Sequence, residues 1–275
     1  MSMRSASRRA TEALQAKQAQ VVTNRLGIGT LTGLAGELYS VARVLVSQPR
    51  LRRTLGDPAT AADKRAEFAG SLFGGRIGDR ALDLVKAAVA ERWSSPWDLS
   101  DAIEQSGDDA LFAAAEKDGA LDQVEDELFR FERILQNEGE VTSLLDEQAT
   151  EPERRVALLE SLVGSKVLPI TVELLRHAVT SDRKRSLTLA IDDLLERAAA
   201  RQKHSVARVL SASPLSDAQQ ERLTAALSSM YGRSMSVRTA IDPQLRGGLV
   251  VRVADEVIDG SVATRLLQAR AAMGA

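Results

Sequence analysis

Asp242-Pro243-Gln244-Leu245-Arg246-Gly247-Gly248-Leu249-Val250-Val251-Arg252-Val253-Ala254-Asp255-Glu256-Val257-Ile258-Asp259-Gly260-Ser261 reads as a strand end, a bend, a second strand and a turn into a helix. Ser236 to Ile241 alternates as a strand does, and Asp242-Pro243 stops it, because proline has no N–H to give to a ladder. Gly247-Gly248 permits a backbone approach that a Cβ would obstruct. Leu249 to Val253 is β-branched and mostly apolar, the pattern of a buried strand. Asp259-Gly260-Ser261 supplies turn and cap residues before a helical pattern over 262–272.

Upstream, Val206 to Ser211 reads as a further strand. Leu215-Ser216-Asp217-Ala218-Gln219 has the form of a capping box, with Ser216 as N-cap and Gln219 three residues on. Leu223, Leu227 and Met230 then line one helix face. Residues 205–275 are therefore expected to form a small α+β domain of order β-α-β-β-α.

The motif set resembles the C-terminal domain of the delta subunits of F-type ATP synthases, the family that includes the mitochondrial oligomycin sensitivity-conferring protein. The residues carrying the likeness are Asp242, Pro243, Gly247, Gly248, the strand Leu249–Val253, Asp255, Asp259, Gly260 and Ser261. Ala254 departs from the family, which often has glycine there, so a local change in the turn is expected. Residues 107–204 resemble the family's N-terminal helical domain, through Ala110 to Leu121 for the opening helix and Glu125 to Leu135 for the second.

Residues 1–106 are an extra copy, as in the longer delta subunits of some actinobacteria. A shift of 90 residues lays Gly29, Leu31, Glu37, Leu38, Arg43 and Leu45 over Gly119, Leu121, Glu127, Leu128, Arg133 and Leu135, and Arg65 over Arg155. Comparing 29–89 with 119–179 gives 16 identities in 61 pairs, without a gap. Leu31, Leu34, Leu38, Val41 and Leu45 step by three and four, as do Leu121, Val124, Leu128, Phe131 and Leu135, which makes one apolar stripe per helix. Glycines after Phe73 and Val163 suit helix ends. The expectation is a mostly α chain: two tandem bundles of about six helices each (1–106 and 107–204), followed by the α+β domain (205–275).

Composition narrows the chemistry. The chain has 275 residues, 36 basic and 38 acidic side chains, and a net charge of −2, so no global field favours nucleic acid. Cysteine is absent, which excludes a disulfide scaffold, a thiolate metal site and a catalytic thiol. No stretch approaches the ~18 continuous apolar residues of a membrane span. The Arg- and Ser-rich residues 1–9 read as a basic helix end rather than a transit peptide.

Candidate sites are weak. Gly27-Ile28-Gly29 lacks dinucleotide-loop spacing, and Phe73-Gly74-Gly75 lacks the Gly-Lys-Ser/Thr ending of a phosphate loop. His177 and His204 show no ligand-pair spacing. The acidic pairs Asp108/Asp109, Glu125/Asp126/Glu127 and Asp192/Asp193 fit solvated helix faces, and Arg183-Lys184-Arg185 fits a helix-end charge complement. Trp93 and Trp97 flank Ser94-Ser95-Pro96 and read as core anchors or partner contacts. No catalytic residue, metal site or cofactor is expected.

What the resemblance implies is a non-catalytic stator subunit, peripheral on the cytoplasmic face of a bacterial plasma membrane. It would link the alpha/beta head to the b stalk in proton-driven ATP synthesis. Its partners would be alpha-subunit N-terminal helices and the C-terminal end of the b subunit. The alpha helix is expected in a groove lined by Leu111, Ala114 and Ala115 on the opening helix and Val172, Leu175 and Val179 on the fifth. The b subunit is expected at Leu249, Val251, Val257 and Ile258. A scaffold of helical repeats unrelated to energy coupling would explain the duplication but not the strand–glycine–strand segment.

Overall fold

A computed structural model describes residues 5–23, 25–147, 149–181, 186–231, 235–242, 245–253, 256–262 and 264. These hold twelve α-helices and four strands, so the chain is mostly helical with a small sheet near its C-terminus. Contacts divide it into two compact units, Met1–Ala198 and Ala199–Ala275.

The helical unit runs α1 (Ser5–Val21), α2 (Ile28–Ser47), α3 (Pro49–Leu55), α4 (Ala62–Phe73), α5 (Asp79–Ala90), α6 (Pro96–Lys117), α7 (Leu121–Asn137), α8 (Gly139–Asp146), α9 (Pro152–Val163), α10 (Pro169–Thr180) and the start of α11 (Leu187–Ser205). Both apolar stripes point inward: Leu31, Leu34, Leu38, Val41 and Leu45 of α2 are buried, as are Leu121, Val124, Leu128, Phe131 and Leu135 of α7. The side chains of α1 to α11 join one continuous core. Helix ends follow local chemistry. Past α6, Gly119 turns to φ +69°, and Ala120 N–H donates to Ala115 O at 2.9 Å while Gly119 N–H donates to Glu116 O at 3.1 Å, a Schellman stop. Gly164 takes φ +49° directly after α9, and Gly75 takes φ +72° two residues beyond the end of α4.

Residues aligned by the shift of 90 hold their helices alike. Each fifth helix is clamped at both ends by residues identical between the copies. Glu37 on α2 accepts from Gly78 N–H at 3.0 Å ahead of α5, and Glu127 on α7 accepts from Leu168 N–H at 2.9 Å ahead of α10. Arg65 on α4 donates to the carbonyls of Ala90 and Glu91 at the end of α5, and Arg155 on α9 donates to Val179 O at 2.7 Å near the end of α10. Carboxylate at the N-terminus and guanidinium at the C-terminus both complement the helix macrodipole. Both arginines are buried, which makes their hydrogen bonding to carbonyls obligatory.

The expected boundary between the copies falls within a single helix. Residues 106 and 107 lie inside α6, with no break there. Ser95 opens α6, its Oγ accepting from Trp97 N–H at 3.2 Å, and Pro96 takes the first helical position. The first part of α6 buries Leu99, Ile103, Ser106 and Ala110, and α11 buries Leu187, Ile191, Leu194 and Ala198 at the same spacing. Later in α6, Leu111 and Ala115 repeat the spacing of Leu14 and Gln18 on α1. One helix therefore has the closing pattern of the first copy and the opening pattern of the second, and it packs on α1, α2, α3 and α5 as well as on α7 and α10.

The second unit holds β1 (Val206–Ser211), α12 (Asp217–Tyr231), β2 (Ser236–Ile241), β3 (Leu249–Val253) and β4 (Glu256–Asp259). The sheet order is β2-β1-β3-β4, with β1 and β2 parallel and the other pairs antiparallel. The capping box forms as read: Gln219 N–H donates to Ser216 Oγ and Ser216 N–H to Gln219 Oε1. One expectation needs correction. Glu256–Asp259 is a fourth strand paired to β3, where the sequence order β-α-β-β-α has only a turn. Its four residues are too short for period-two alternation to be visible. Pro243, Ala254, Asp255, Arg183-Lys184-Arg185 and most of the 262–272 helix lie outside the described residues, as does the side chain of His204.

Candidate functional site

The expected helix groove follows the α6–α10 seam. Leu111, Ala114, Ala115, Leu175 and Val179 are buried in the common core there, and Val172 is half-buried. Five of the six are thus the floor of the seam, and Val172 is the accessible member. Apolarity at helical spacing identifies a buried face without saying what buries it.

Beside this seam sits a polar junction that the sequence did not signal. Gly107 lets α2 come close to α6, since a Cβ there would stand 2.5 Å from Tyr39 Cε1. The small residues Ala35 and Ala42 flank Tyr39 in the same packed face. The Tyr39 hydroxyl donates to Asp108 Oδ1 at 2.7 Å, and its ring stacks on His177 of α10 with centroids 3.6 Å apart and planes 11° from parallel. His177 Nε2 lies 2.9 Å from Glu104 Oε1, and Ser181 Oγ donates to the same oxygen at 3.2 Å. A small pocket between α6, α10 and α11 opens among Asp101, Glu104, Asp108, His177, Asp193 and Arg197. Burial pushes the Asp108 carboxyl up to about 7, against the pull of His177 and Arg197. Burial also raises the Tyr39 hydroxyl well above its ordinary value, helped by Asp108. Asp108 is therefore a member of a buried network rather than a solvated face, and His177 ties α10 to α2 and α6. Among the described residues, no group of three His, Cys, Asp or Glu side chains is placed to hold a metal ion. Among them, too, no helix is long and apolar enough to cross a membrane.

The two tryptophans divide the roles read for them. Trp93 is buried and donates from Nε1 to Ala88 O at 2.7 Å. Trp97 is half open, with Arg52 Cζ 3.5 Å from its ring centroid.

In the C-terminal unit the two halves of the motif meet. Gly248 has φ +84°, and a Cβ on it would stand 2.4 Å from Gly260 O and 2.8 Å from Ser261 Cα. Gly260 N–H donates to Leu249 O at 2.9 Å and Val262 N–H to Gly247 O at 3.0 Å. The glycine pair is thus the seat of the Asp259-Gly260-Ser261 turn. Asp259 accepts from Ser261 N–H at 2.9 Å and from Thr264 Oγ1 at 2.8 Å, and these bonds hold its carboxyl below the usual range. Asp242 N–H donates to Ser211 O at 2.9 Å, extending the β1–β2 pairing by one rung.

The four residues expected at the b contact do not share a face. Val251 is buried, with Leu249 and Ile258 packed against the same small core. Val257 pairs with Arg252 on the opposite side of the pleat and is 56% exposed.

The model of the family described as ATP synthase delta (OSCP) subunit matches residues 108–273. The ATP synthase subunit delta of Streptomyces avermitilis is 42% identical over 273 residues, 99% of each chain. That of Streptomyces griseus is 43% identical over 267 residues, covering 97% of this chain and 98% of the relative. A Mycobacterium protein named ATP synthase subunit b-delta is 40% identical over 267 residues, covering 97% of this chain and 60% of the longer relative. A chain of the Toxoplasma gondii mitochondrial ATP synthase hexamer superposes with a TM-score of 0.27 at 23% identity, covering 61% of this chain and 95% of that one, too loose a fit to carry an argument. On the family match and the near-full-length relatives, this chain belongs to the ATP synthase delta (OSCP) subunit family, whose members are non-catalytic structural subunits of the ATP synthase complex.

Proposed function

We propose that this chain is the stator link between the catalytic head and the membrane-anchored stalk of a bacterial ATP synthase, working at the cytoplasmic face of the plasma membrane. The helical unit caps the head by holding an amphipathic N-terminal helix of an alpha subunit along the α6–α10 seam, with Val172 at the accessible rim and Leu111, Ala114, Ala115, Leu175 and Val179 beneath. The C-terminal unit holds the end of the b subunit on the side of the sheet that presents Val257, while Leu249, Val251 and Ile258 keep that sheet rigid. Held at both ends, the head resists rotation with the central rotor, and proton-driven torque is converted to ATP synthesis.

The observation that carries this reading is the near-full-length likeness to delta subunits, including the extra N-terminal copy. The b-delta relative, in which both names attach to one polypeptide, supports the association with b. We further propose that residues 1–106 and 107–204 act as two six-helix copies sharing α6, so that the extra copy braces the α6–α10 seam through Tyr39 and His177.

Calorimetric titration of the full chain tests the reading. An alpha N-terminal peptide is expected to bind saturably with a negative heat-capacity change. Val172→Asp is expected to weaken that binding and leave a b C-terminal segment unaffected, and Val257→Asp to do the reverse. Absence of binding by both segments would overturn the proposal.

A further inference from the structure

The register of the small sheet assembles a row that no single strand displays. Arg208 of β1 stands opposite Arg238 of β2 and opposite Arg252 of β3, and Arg252 stands opposite Val257 of β4. One rung across all four strands is therefore Arg238-Arg208-Arg252-Val257. It lies on the face away from the unit's core, because Ala207 and Val209 of β1 and Val251 and Val253 of β3 are the buried positions and strand residues alternate between faces. Arg252 is exposed, and so is Val257 at the end of the rung. The next rung on this face is Ala240-Leu210-Val250-Asp259, with Leu210 and Val250 half-buried and Ala240 exposed. A basic rung thus runs beside a mostly apolar one.

Like charges in directly opposed positions weaken a sheet, so this rung costs stability in the chain by itself. Asp259 is the one carboxylate position among the described strand residues of this face, and it already accepts from Ser261 N–H and Thr264 Oγ1. Residues 265–275 contain no aspartate or glutamate. The unit Ala199–Ala275 holds ten basic and six acidic side chains in a chain whose net charge is −2. The rung therefore suits an anionic partner. Spacing narrows its form. Neighbouring strands lie about 4.8 Å apart, so the three arginine positions span about 10 Å. Carboxylates at i, i+3 and i+7 of an α-helix span about 10 Å too, at about 1.5 Å per residue. A helix laid across the strands can match an acid to each arginine while its apolar side covers the neighbouring rung. Single-stranded nucleic acid would want stacking aromatics, and the described strand residues of this face include none.

We propose that the outer face of the sheet is a docking surface for an acidic amphipathic helix of a partner protein, which sets aspartate or glutamate side chains against the Arg238-Arg208-Arg252 rung and apolar side chains against Leu210, Val250 and Val257. This deepens the proposed hold on the b subunit. Only the partner's name rests on that reading, whereas its chemistry rests on the strand register.

The test is titration calorimetry of the full chain with a synthetic helical peptide carrying glutamate at i, i+3 and i+7 and leucine along the adjoining edge. A control peptide has glutamine in place of each glutamate. The acidic peptide is expected to bind saturably, and the glutamine peptide about tenfold more weakly or worse. Arg208→Gln, Arg238→Gln and Arg252→Gln are each expected to weaken the acidic peptide about threefold or more, and the triple variant about thirtyfold or more, with a shallower salt dependence. Arg246→Gln, exposed ahead of β3 and off the rung, is expected to leave the affinity unchanged. With the opposed like charges removed, the triple variant is expected to melt no lower than the parent, so lost binding is not lost folding. Equal binding of the two peptides, or of the acidic peptide to the triple variant, would overturn the proposal. So would attachment to phosphatidylglycerol vesicles that is tighter than peptide binding and lost in the triple variant, since the occupant would then be a lipid surface. A b C-terminal segment separates the two readings: if it binds parent and triple variant equally while the acidic peptide tells them apart, the b assignment of this face fails and the docking row stands.

Discussion

Removing the Glu127 carboxylate is expected to unseat α10. This side chain is 3% exposed, and its Oε2 accepts from Leu168 N–H at 2.9 Å and from Thr171 Oγ1 at 2.5 Å. Its Oε1 accepts from Gln123 Nε2 at 2.9 Å. Glu127→Ala leaves a backbone donor and a fully buried hydroxyl without their acceptor at the start of a helix. Each orphaned group costs about 1–3 kcal/mol, and loss of the anion at the helix N-terminus costs about 0.5 kcal/mol more. A total of about 4 kcal/mol follows, because the threonine hydroxyl can rotate and recover part of its share. The repeat provides the internal control. Glu37→Ala removes one bond, from Gly78 N–H at 3.0 Å, at a more open site, so about 1 kcal/mol is expected. For a unit of this size these values correspond to losses of about 10 °C and about 3 °C in Tm. Thermal melts and urea titrations of both variants, followed by circular dichroism, give the comparison. If Glu37→Ala costs as much as Glu127→Ala, the clamp at α10 is not the buried anchor described here.

Two further outcomes follow from the geometry. Gly248→Ala is expected to cost about 3 kcal/mol or more, because φ is +84° and the new Cβ meets Gly260 O at 2.4 Å, whereas Gly75→Ala, at φ +72° with nothing within 4 Å, costs only the backbone share of about 1 kcal/mol; equal costs in urea titration would refute the close-approach argument. Asp108 has its carboxyl raised to about 7 in the folded chain against an ordinary 3.8, so the folded state holds a proton that the unfolded state releases, and this stabilisation is complete below pH ~4 and lost as pH rises through ~7. Asp108→Asn keeps an acceptor for Tyr39 and removes the titration, so its stability relative to the parent should improve by about 2 kcal/mol between pH 5 and pH 7; a pH-independent difference would contradict the buried acid.

The sequence carried the local physics well. The stripes of α2 and α7 were legible because five apolar residues per helix at three- and four-residue spacing admit only one buried face. The Ser216–Gln219 capping box and the glycine pair were legible because each meets a need of the backbone itself. The clamps of α5 and α10 were present as the identities Glu37/Glu127 and Arg65/Arg155, but identity alone does not say that a carboxylate reaches 41 residues along the chain to a helix N-terminus. The passage of α6 through residues 106 and 107 was hidden because a duplication suggests a boundary, while only the Ser95-Pro96 start and the Gly119 stop mark the real helix. Strand β4 was too short to declare a period, so Val257 and Ile258 read as one patch although the pleat sends them to opposite faces. The Tyr39–Asp108–His177–Glu104 junction joins residues 69 and 73 apart in pairs, a long-range packing outcome without a local signature.

The most direct test of the central account is proton-driven ATP synthesis by membrane vesicles whose ATP synthase contains or lacks this chain. The account predicts that removal abolishes coupled synthesis and lets the catalytic head detach while still hydrolysing ATP, and that adding back the full chain restores both attachment and synthesis. Coupled synthesis at the parent rate, with the head retained in its absence, would contradict the stator role.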